Sequence, residues 1–331
     1  MREFWLRVFS LLFSVFLAAC STTRIQQLPQ VAPDLPAQAH LTNIPFTAQE
    51  AYECGPATLH MLLGAAGRVA PLDELVNAVY VPGRHGSFQV EMLAAARRQG
   101  LNAYTLEPEI ASVLREVAGH HPVAVFMNLS LPIYPVWHYA VVTGYDLERN
   151  VLVLHSGTTR NMEMSLYTFD RTWQRGGNWA MVALNPQDLP VTAQPQRMLA
   201  ALSALEQTDP KAAAQGYSAA RLRWPQQREF LLAEANAAYV QHDLAQAERG
   251  YLAATQQFPD YADAWNNLAQ TYADQHKSEA ALNAIEHAIE IATRFDKNPA
   301  PAQSESRLAQ YKSLRDELLS AQSTKSPSRP D

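Results

Sequence analysis

An α+β domain followed by an all-α domain is the fold class this sequence predicts, and three observations carry it. Between Leu41 and Pro186, helical patterns give way to runs rich in β-branched and aromatic residues. Beyond residue 195 the chain reads as helical throughout and repeats itself at a period of 34 residues. Two Pro-marked stretches, 20–40 and 187–195, flank the first of these regions and read as connections.

The N-terminus comes first. Arg2 and Arg7 precede a short apolar run, Val8–Ala18. That run is too short to span a bilayer comfortably, so residues 1–19 read as a signal peptide. It ends in Leu17-Ala18-Ala19-Cys20, which resembles a bacterial lipobox. The resemblance implies cleavage before Cys20, with lipid on its sulfur and on the new amino group, and several acyl chains anchor stably where one does not. Ser21 stands where Asp would favour inner-membrane retention, so the expected address is the outer membrane, lipid-anchored and facing the periplasm. The alternative is an ordinary secretory signal with an incidental cysteine. Residues 20–40, rich in Gln, Pro and Ala, read as the lipidated Cys and a flexible spacer.

The formal net charge is −6, and removing Arg2, Glu3 and Arg7 with the signal peptide leaves −7. No basic stripe interrupts this balance, which excludes a protein that tracks phosphate backbones; no nucleic-acid partner is expected. Hydrophobic residues at 47% and charged residues at 18% mark a globular chain. There are two cysteines. If Cys20 carries lipid, Cys54 has no partner, and a lone thiol in an oxidising compartment is a liability unless buried or used.

Within 41–186, a helix is expected from Cys54 to Leu63, started by Gly55-Pro56. A second fits Leu72–Val79, and a third follows Ser87 and runs to Gly100. Strands follow: PVAVFMNL, HYAVVTGY, NVLVLH and, at 179–184, WAMVAL, with DLERN as a hairpin connection between the second and third. After the linker 187–195, residues 196–322 form the helical domain, and 323–331 read as a disordered tail. Ala213, Tyr217, Ala220 and Pro225 recur as Ala247, Tyr251, Ala254 and Pro259, and Ala281, Ile285 and Ala288 continue the spacing. With Trp265, Leu268, Ala269 and Tyr272, this pattern resembles the tetratricopeptide repeat. Small Ala positions let paired helices approach, large residues fill the gaps, and Pro stops the second helix. Three repeats with a capping helix near 302–320 are expected; two good repeats with an atypical cap is the other reading.

The chemistry centres on Cys54, at the head of its helix in Gln49-Glu50-Ala51-Tyr52-Glu53-Cys54-Gly55-Pro56-Ala57. A helix N-terminus favours a thiolate through its dipole and free N–H groups. The N–H of Cys54 would face a substrate's developing oxyanion, and a Gln side chain upstream could add a second donor. Together with His138-Tyr139-Ala140-Val141-Val142-Thr143-Gly144-Tyr145, this segment resembles the papain-like cysteine peptidases, and among them the bacteriocin-leader (double-glycine) peptidase family. The resemblance covers roughly 41–186. It implies a papain-like α+β fold with Cys54 as nucleophile, His138 as base and Gln49 as oxyanion donor. Gln49 lies five residues before the Cys where six is commoner, a difference a loop can absorb.

The third catalytic position departs from that family. Where it places Asp or Asn, this chain reads Val153-Leu154-His155-Ser156-Gly157. Hairpin parity leaves two outcomes. A five-residue loop at Asp146–Asn150 puts Ser156 and Thr158 on the face of His138; a four-residue loop at Leu147–Asn150 brings His155 there instead. Alignment of the strand end favours His155 as the orienting residue, and Asp146 then reads as a turn residue. No HExxH, Walker or GxGxxG pattern is present, and His120-His121 lack further ligands at metal spacing, so neither cofactor nor metal is expected. The reading is a membrane-anchored thiol peptidase that takes a peptide or protein substrate, binds a protein partner through its repeats and meets the membrane through its lipid anchor only. Its rivals are a catalytically dead peptidase-like domain serving as a peptide-binding or scaffold module, and a peptidyl or acyl transferase using the same Cys–His pair.

Overall fold

The computed structural model describes residues 24–49, 53–84, 86–295 and 301–325. The signal peptide, Cys20 and the tail beyond Lys325 lie outside the described residues. In chain order the elements begin with α1 (Arg24–Val31), β1 (Gln38–His40), α2 (Cys54–Ala65), α3 (Leu72–Val79), β2 (Tyr80–Val81), β3 (Gly86–Ser87), α4 (Gln89–Arg98) and β4 (Asn102–Thr105). There follow α5 (Ile110–Ala118), β5 (Val123–Asn128), β6 (Trp137–Asp146), β7 (Val151–Ser156), β8 (Thr159–Ser165), α6 (Leu166–Arg175) and β9 (Ala180–Leu184). The chain ends on α7 (Pro195–Glu206), α8 (Pro210–Arg223), α9 (Arg228–Val240), α10 (Leu244–Gln257), α11 (Ala262–Asp274), α12 (Ser278–Phe295) and α13 (Pro301–Lys325).

The described residues fall into two compact units. One contains the residues up to Phe88 with Thr105–Val182; the other contains Gln89–Tyr104 and everything from Ala183 onward. Gln89–Tyr104, read from sequence as part of the first domain, thus clusters with the second.

The first unit is an antiparallel sheet with helices packed on it. β5 pairs with β9 on one side and β6 on the other; β6 pairs with β7, and β7 with β8. Their Val, Ala and Leu runs are buried almost throughout. α2 is apolar nearly all round, with Ala57, Leu59, Met61, Leu62 and Leu63 at 1% exposure or less, as a helix buried at the centre of a unit must be. β8 and α6 have no counterpart in the sequence reading. β8 is a mostly exposed edge strand, and α6 starts at a Ser165 side chain that accepts the Thr168 N–H at 3.1 Å.

The spacer expected over 20–40 is corrected from Arg24 onward. Residues 24–31 form α1, whose Ile25 and Leu28 are buried, and β1 pairs with β6 through Gln38–Asp146 and His40–Gly144. The Gln- and Pro-rich composition hid an apolar i, i+3 pair, which drives this docking by removing two large side chains from water.

In the second unit, helix follows helix from α7 to α13, as a region of tetratricopeptide-repeat type would. The positions that recur at 34 residues are its core: Ala213, Ala247 and Ala281 are each fully buried, as are Ala220, Ala254 and Ala288. Gly216 and Gly250 share a further position of the same period. A Cβ would sit 2.3 Å from Leu202 at Gly216 and 2.7 Å from Ala235 at Gly250. The helices meet at backbone distance at Gly250, and at Gly216 the Leu202 side chain fills the space a Cβ would take, which is why small residues recur.

Candidate active site

The Gln49–Cys54 stretch and the start of β6, distant in sequence, meet at Tyr139. Cys54 opens α2, as expected, and α2 has no side-chain cap at its start. Pro56 removes a third donor, so the N–H groups of Cys54 and Gly55 remain at the head of α2, and they and the backbone of Tyr139 favour the Cys54 thiolate. On the other face of that residue, the Gln49 side-chain amide donates to the Tyr139 carbonyl at 3.5 Å. His138 immediately precedes it at the start of β6. The head of α2, the Gln49 amide and the start of β6 thus meet at Tyr139.

The segment holding Gln49 is built by packing. Pro45 lies against Gly64 of α2, where a Cβ would meet the proline ring at 2.7 Å. Thr47 Oγ1 and His60 Nδ1 are 2.8 Å apart, so His60, which reads from sequence as a solvated mid-helix residue, fastens this segment to α2. The Gln49 N–H donates to the Gly157 carbonyl at 3.1 Å, closing the loop against the end of β7.

Beside His138 stands Ser156, not His155. His138 Nε2 and Ser156 Oγ are 2.8 Å apart. The hairpin has the four-residue loop, with Asp146 opposite Val151, which by strand parity alone would bring His155 to the site. The register then shifts between Val142 and Gly144: Gly144 faces Val153, whereas Val142 faces Leu154. Thr143 is the extra residue of a β-bulge, and one extra residue exchanges the faces of everything beyond it. The sequence carried a signal for this in Gly144, since an isolated glycine within a strand marks a bulge or a close approach. A Cβ there would lie 2.8 Å from the Ala39 carbonyl of β1.

His155 points into the opposite face and is 1% exposed. Its Nδ1 accepts the Asn161 N–H at 3.3 Å, its Nε2 lies 3.4 Å from the Ile44 carbonyl, and its ring stands edge-on to Phe46 at 5.4 Å. The expected contact with His138 is therefore corrected: His155 ties the strand end to the segment that leads to Gln49. Asp146 is a turn residue, its carboxylate accepting the Arg149 N–H at 2.9 Å.

Electrostatics set the resting state. Burial pushes the Cys54 thiol up from its ordinary value, against the backbone hydrogen bonds that favour the thiolate. Burial also pulls His138 below the ordinary imidazole range. At neutral pH the pair rests as thiol and neutral imidazole. The helix N-terminus, expected to lower the thiol, is outweighed by loss of water. Ser156 occupies His138 Nε2, which leaves Nδ1 as the other ring nitrogen. A hydroxyl orients the ring, but it supplies no charge to stabilise an imidazolium as a carboxylate would. Among the described residues no cluster of His, Cys, Asp or Glu could hold a metal ion; His121 instead pairs with the fully buried Glu116 at 2.7 Å.

Residues 41–181 match the Peptidase_C39 like family, and residues 251–283 match the tetratricopeptide repeat. No curated protein matches the chain. Among solved structures, a double glycine motif protease from an AMS/PCAT transporter, in complex with the leader peptide, aligns at 22% identity with a TM-score of 0.34. The alignment covers 44% of this chain and 93% of that one. A protein from Bacillus anthracis described as a C39-like peptidase aligns at 16% identity and a TM-score of 0.39, over 45% and 98% of the two chains. MamA protein aligns at 20% identity and a TM-score of 0.29, over 38% and 68%. This chain carries an α+β C39-like peptidase domain followed by a helical region consistent with tetratricopeptide repeats.

Proposed function

We propose that the chain is a lipid-anchored thiol peptidase facing the periplasm from the outer membrane. The convergence of Cys54, Gln49 and His138 on Tyr139 is the observation that carries this reading. His138 Nδ1 takes the thiol proton as sulfur attacks the peptide carbonyl, with Ser156 holding Nε2. The Cys54 N–H and the Gln49 amide receive the oxyanion, and the imidazolium then returns its proton to the leaving amine. For the thiol to act, substrate binding has to bring it to His138 without water between them, since both rest neutral.

The repeat region supplies the recruiting surface. A cleft of about 460 Å³ is lined by Glu206, Gln207, Asn236, Tyr239, Val240, Tyr251, Asn266, Asn267 and Gln270. Asn236 Oδ1 accepts from Tyr251 at 2.7 Å and from Asn267 at 2.9 Å, so its amides are ordered before any partner arrives. These amide and phenol groups, with one carboxylate at Glu206, suit the backbone of an extended peptide.

The test is labelling of the purified mature protein by a thiol-reactive peptide probe, followed by cleavage of a peptide library. Probe on Cys54 and cleavage lost in Cys54→Ala is the expected result. A protein that binds peptides but is neither labelled nor cleaves them is the dead, binding-module alternative; products joined to added amines would indicate transfer.

A further inference from the structure

The connection from β5 to β6 carries an exposed apolar surface next to His138. Leu129, Leu131, Ile133, Tyr134, Val136 and Trp137 all face water, with Ile133 and Tyr134 each 75% exposed. No Asp, Glu, Lys or Arg occurs between Pro122 and Tyr145. The loop is nevertheless ordered. Asn128, 1% exposed, accepts the N–H groups of Ser130 and Val136 at 3.0 Å each. Leu129 N–H reaches the Val136 carbonyl at 2.9 Å, and Trp137 stacks on Phe126 with centroids 5.2 Å apart. A frame this well tied, holding so many apolar side chains in water, marks an interaction surface.

Where the chain enters the unit decides the occupant. The Arg24 guanidinium donates to Asn178 Oδ1 at 3.1 Å and to the Pro108 carbonyl at 2.9 Å, and lies over the Trp173 ring. The next residue after Asn178, Trp179, accepts the Phe126 N–H at 3.1 Å, and Arg175 donates to the Asn128 carbonyl at 3.2 Å. Arg24 is therefore fixed at the end of the sheet from which the apolar loop springs. Only Ser21, Thr22 and Thr23 separate it from Cys20. Four extended Cα steps reach about 14 Å, so lipid on Cys20 would hold this end of the unit at the bilayer and not away from it.

We propose that the Leu129–Trp137 loop is a lipid-docking element that enters the interface of the membrane in which Cys20 is anchored; this rests on the lipobox reading. Trp137 and Tyr134 are the ring types that settle at headgroup level, and the aliphatic side chains between them enter the acyl boundary. Arg175 at the base of the loop suits an anionic surface, whereas the Arg24 guanidinium there is already paired with Asp170 at 3.5 Å. A patch this small binds weakly by itself, but an anchor a few residues away keeps it at high effective concentration beside the bilayer. His138, the residue after Trp137, then opens at membrane level, and the substrate of the site is a peptide segment lying close to the lipid surface.

The mature chain with Cys20→Ala, which cannot be lipidated, tests the loop by flotation with vesicles of phosphatidylethanolamine and phosphatidylglycerol. The chain should float, and its tryptophan emission should be quenched by lipids brominated on the acyl chain. Ile133→Asp with Tyr134→Asp should weaken the partition by about tenfold or more, because each places a carboxylate at the interface. Both side chains face solvent, so the double variant should keep the parent's circular dichroism and melting curve. A parent that neither floats nor is quenched overturns the proposal. So does a double variant that floats like the parent, or one that loses only binding of a soluble peptide. Mass spectrometry of the native chain reads lipidation of Cys20 separately: flotation without native lipid sinks the lipobox reading alone, and native lipid without flotation sinks the loop alone.

Discussion

The Nε2 atom of His138 and the hydroxyl of Ser156 lie 2.8 Å apart, although strand parity from the hairpin turn would set His155 there. Ser156→Ala is predicted to lower turnover by about tenfold or less, since it removes one neutral hydrogen bond from a ring that burial still holds in place. Steady-state kinetics on a cleaved peptide measure this. A loss as large as that of His138→Ala would mean that Ser156 handles the proton itself.

His155→Ala is predicted to act through the fold. It empties a buried site and strands the Asn161 N–H and Ile44 carbonyl, for a cost of about 2–4 kcal/mol. Urea denaturation should show the drop, and KM should rise as the Gln49 segment loosens. Unchanged stability with lost turnover would return His155 to a catalytic role.

Cys54→Ala and His138→Ala should each abolish turnover, with the double variant little worse, as for groups acting as one unit. Gln49→Ala should cost less, on the order of 10²–10³-fold, because the Cys54 N–H remains to receive the oxyanion. Additive losses in the double variant would refute the paired mechanism.

Stability should fall on acidification. Burial holds His138 and His155 below the ordinary imidazole value in the folded chain, so the unfolded chain binds protons first. Their contribution is fully present above about pH 6.5 and is lost as pH falls through that value toward the lower folded ones. Melting temperatures between about pH 8 and pH 5 should decrease, and His155→Gln should flatten the decrease. A parent and variant with parallel profiles would remove His155 from the account.

Ala281 is fully buried between helices of the second unit. Ala281→Arg overpacks that contact and buries a charge, with a cost of about 1–3 kcal/mol from overpacking before the charge is counted. Limited proteolysis should degrade the helical region while the sheet-containing unit survives. Simultaneous loss of both would show one cooperative unit.

Much of the architecture was legible because it rests on periodicity. The 34-residue recurrence of Ala213, Ala247 and Ala281 is a packing requirement, since only small side chains fit where helices meet. Strands rich in Val and Ala reported their own burial in the same way. α1 was not legible, because two apolar side chains in a Gln- and Pro-rich stretch make a weak pattern and a strong contact. β8 escaped for the opposite reason: its alternation is polar, and an edge strand needs little apolar surface.

For the candidate site, sequence by itself determined the residue types: a cysteine at the head of a helix, a histidine opening a strand, and a glutamine just upstream. Those identities follow from local rules of helix starts and strand composition, which act over a few residues. Which neighbour meets His138 depended on one residue of register in β6. Thr143 is displaced as a bulge where Gly144 pairs with β1, and that close approach exists only once distant segments are packed together. Because side chains alternate with a period of two, one extra residue sends Ser156 to the site and His155 to the opposite face, a choice that no local pattern could make.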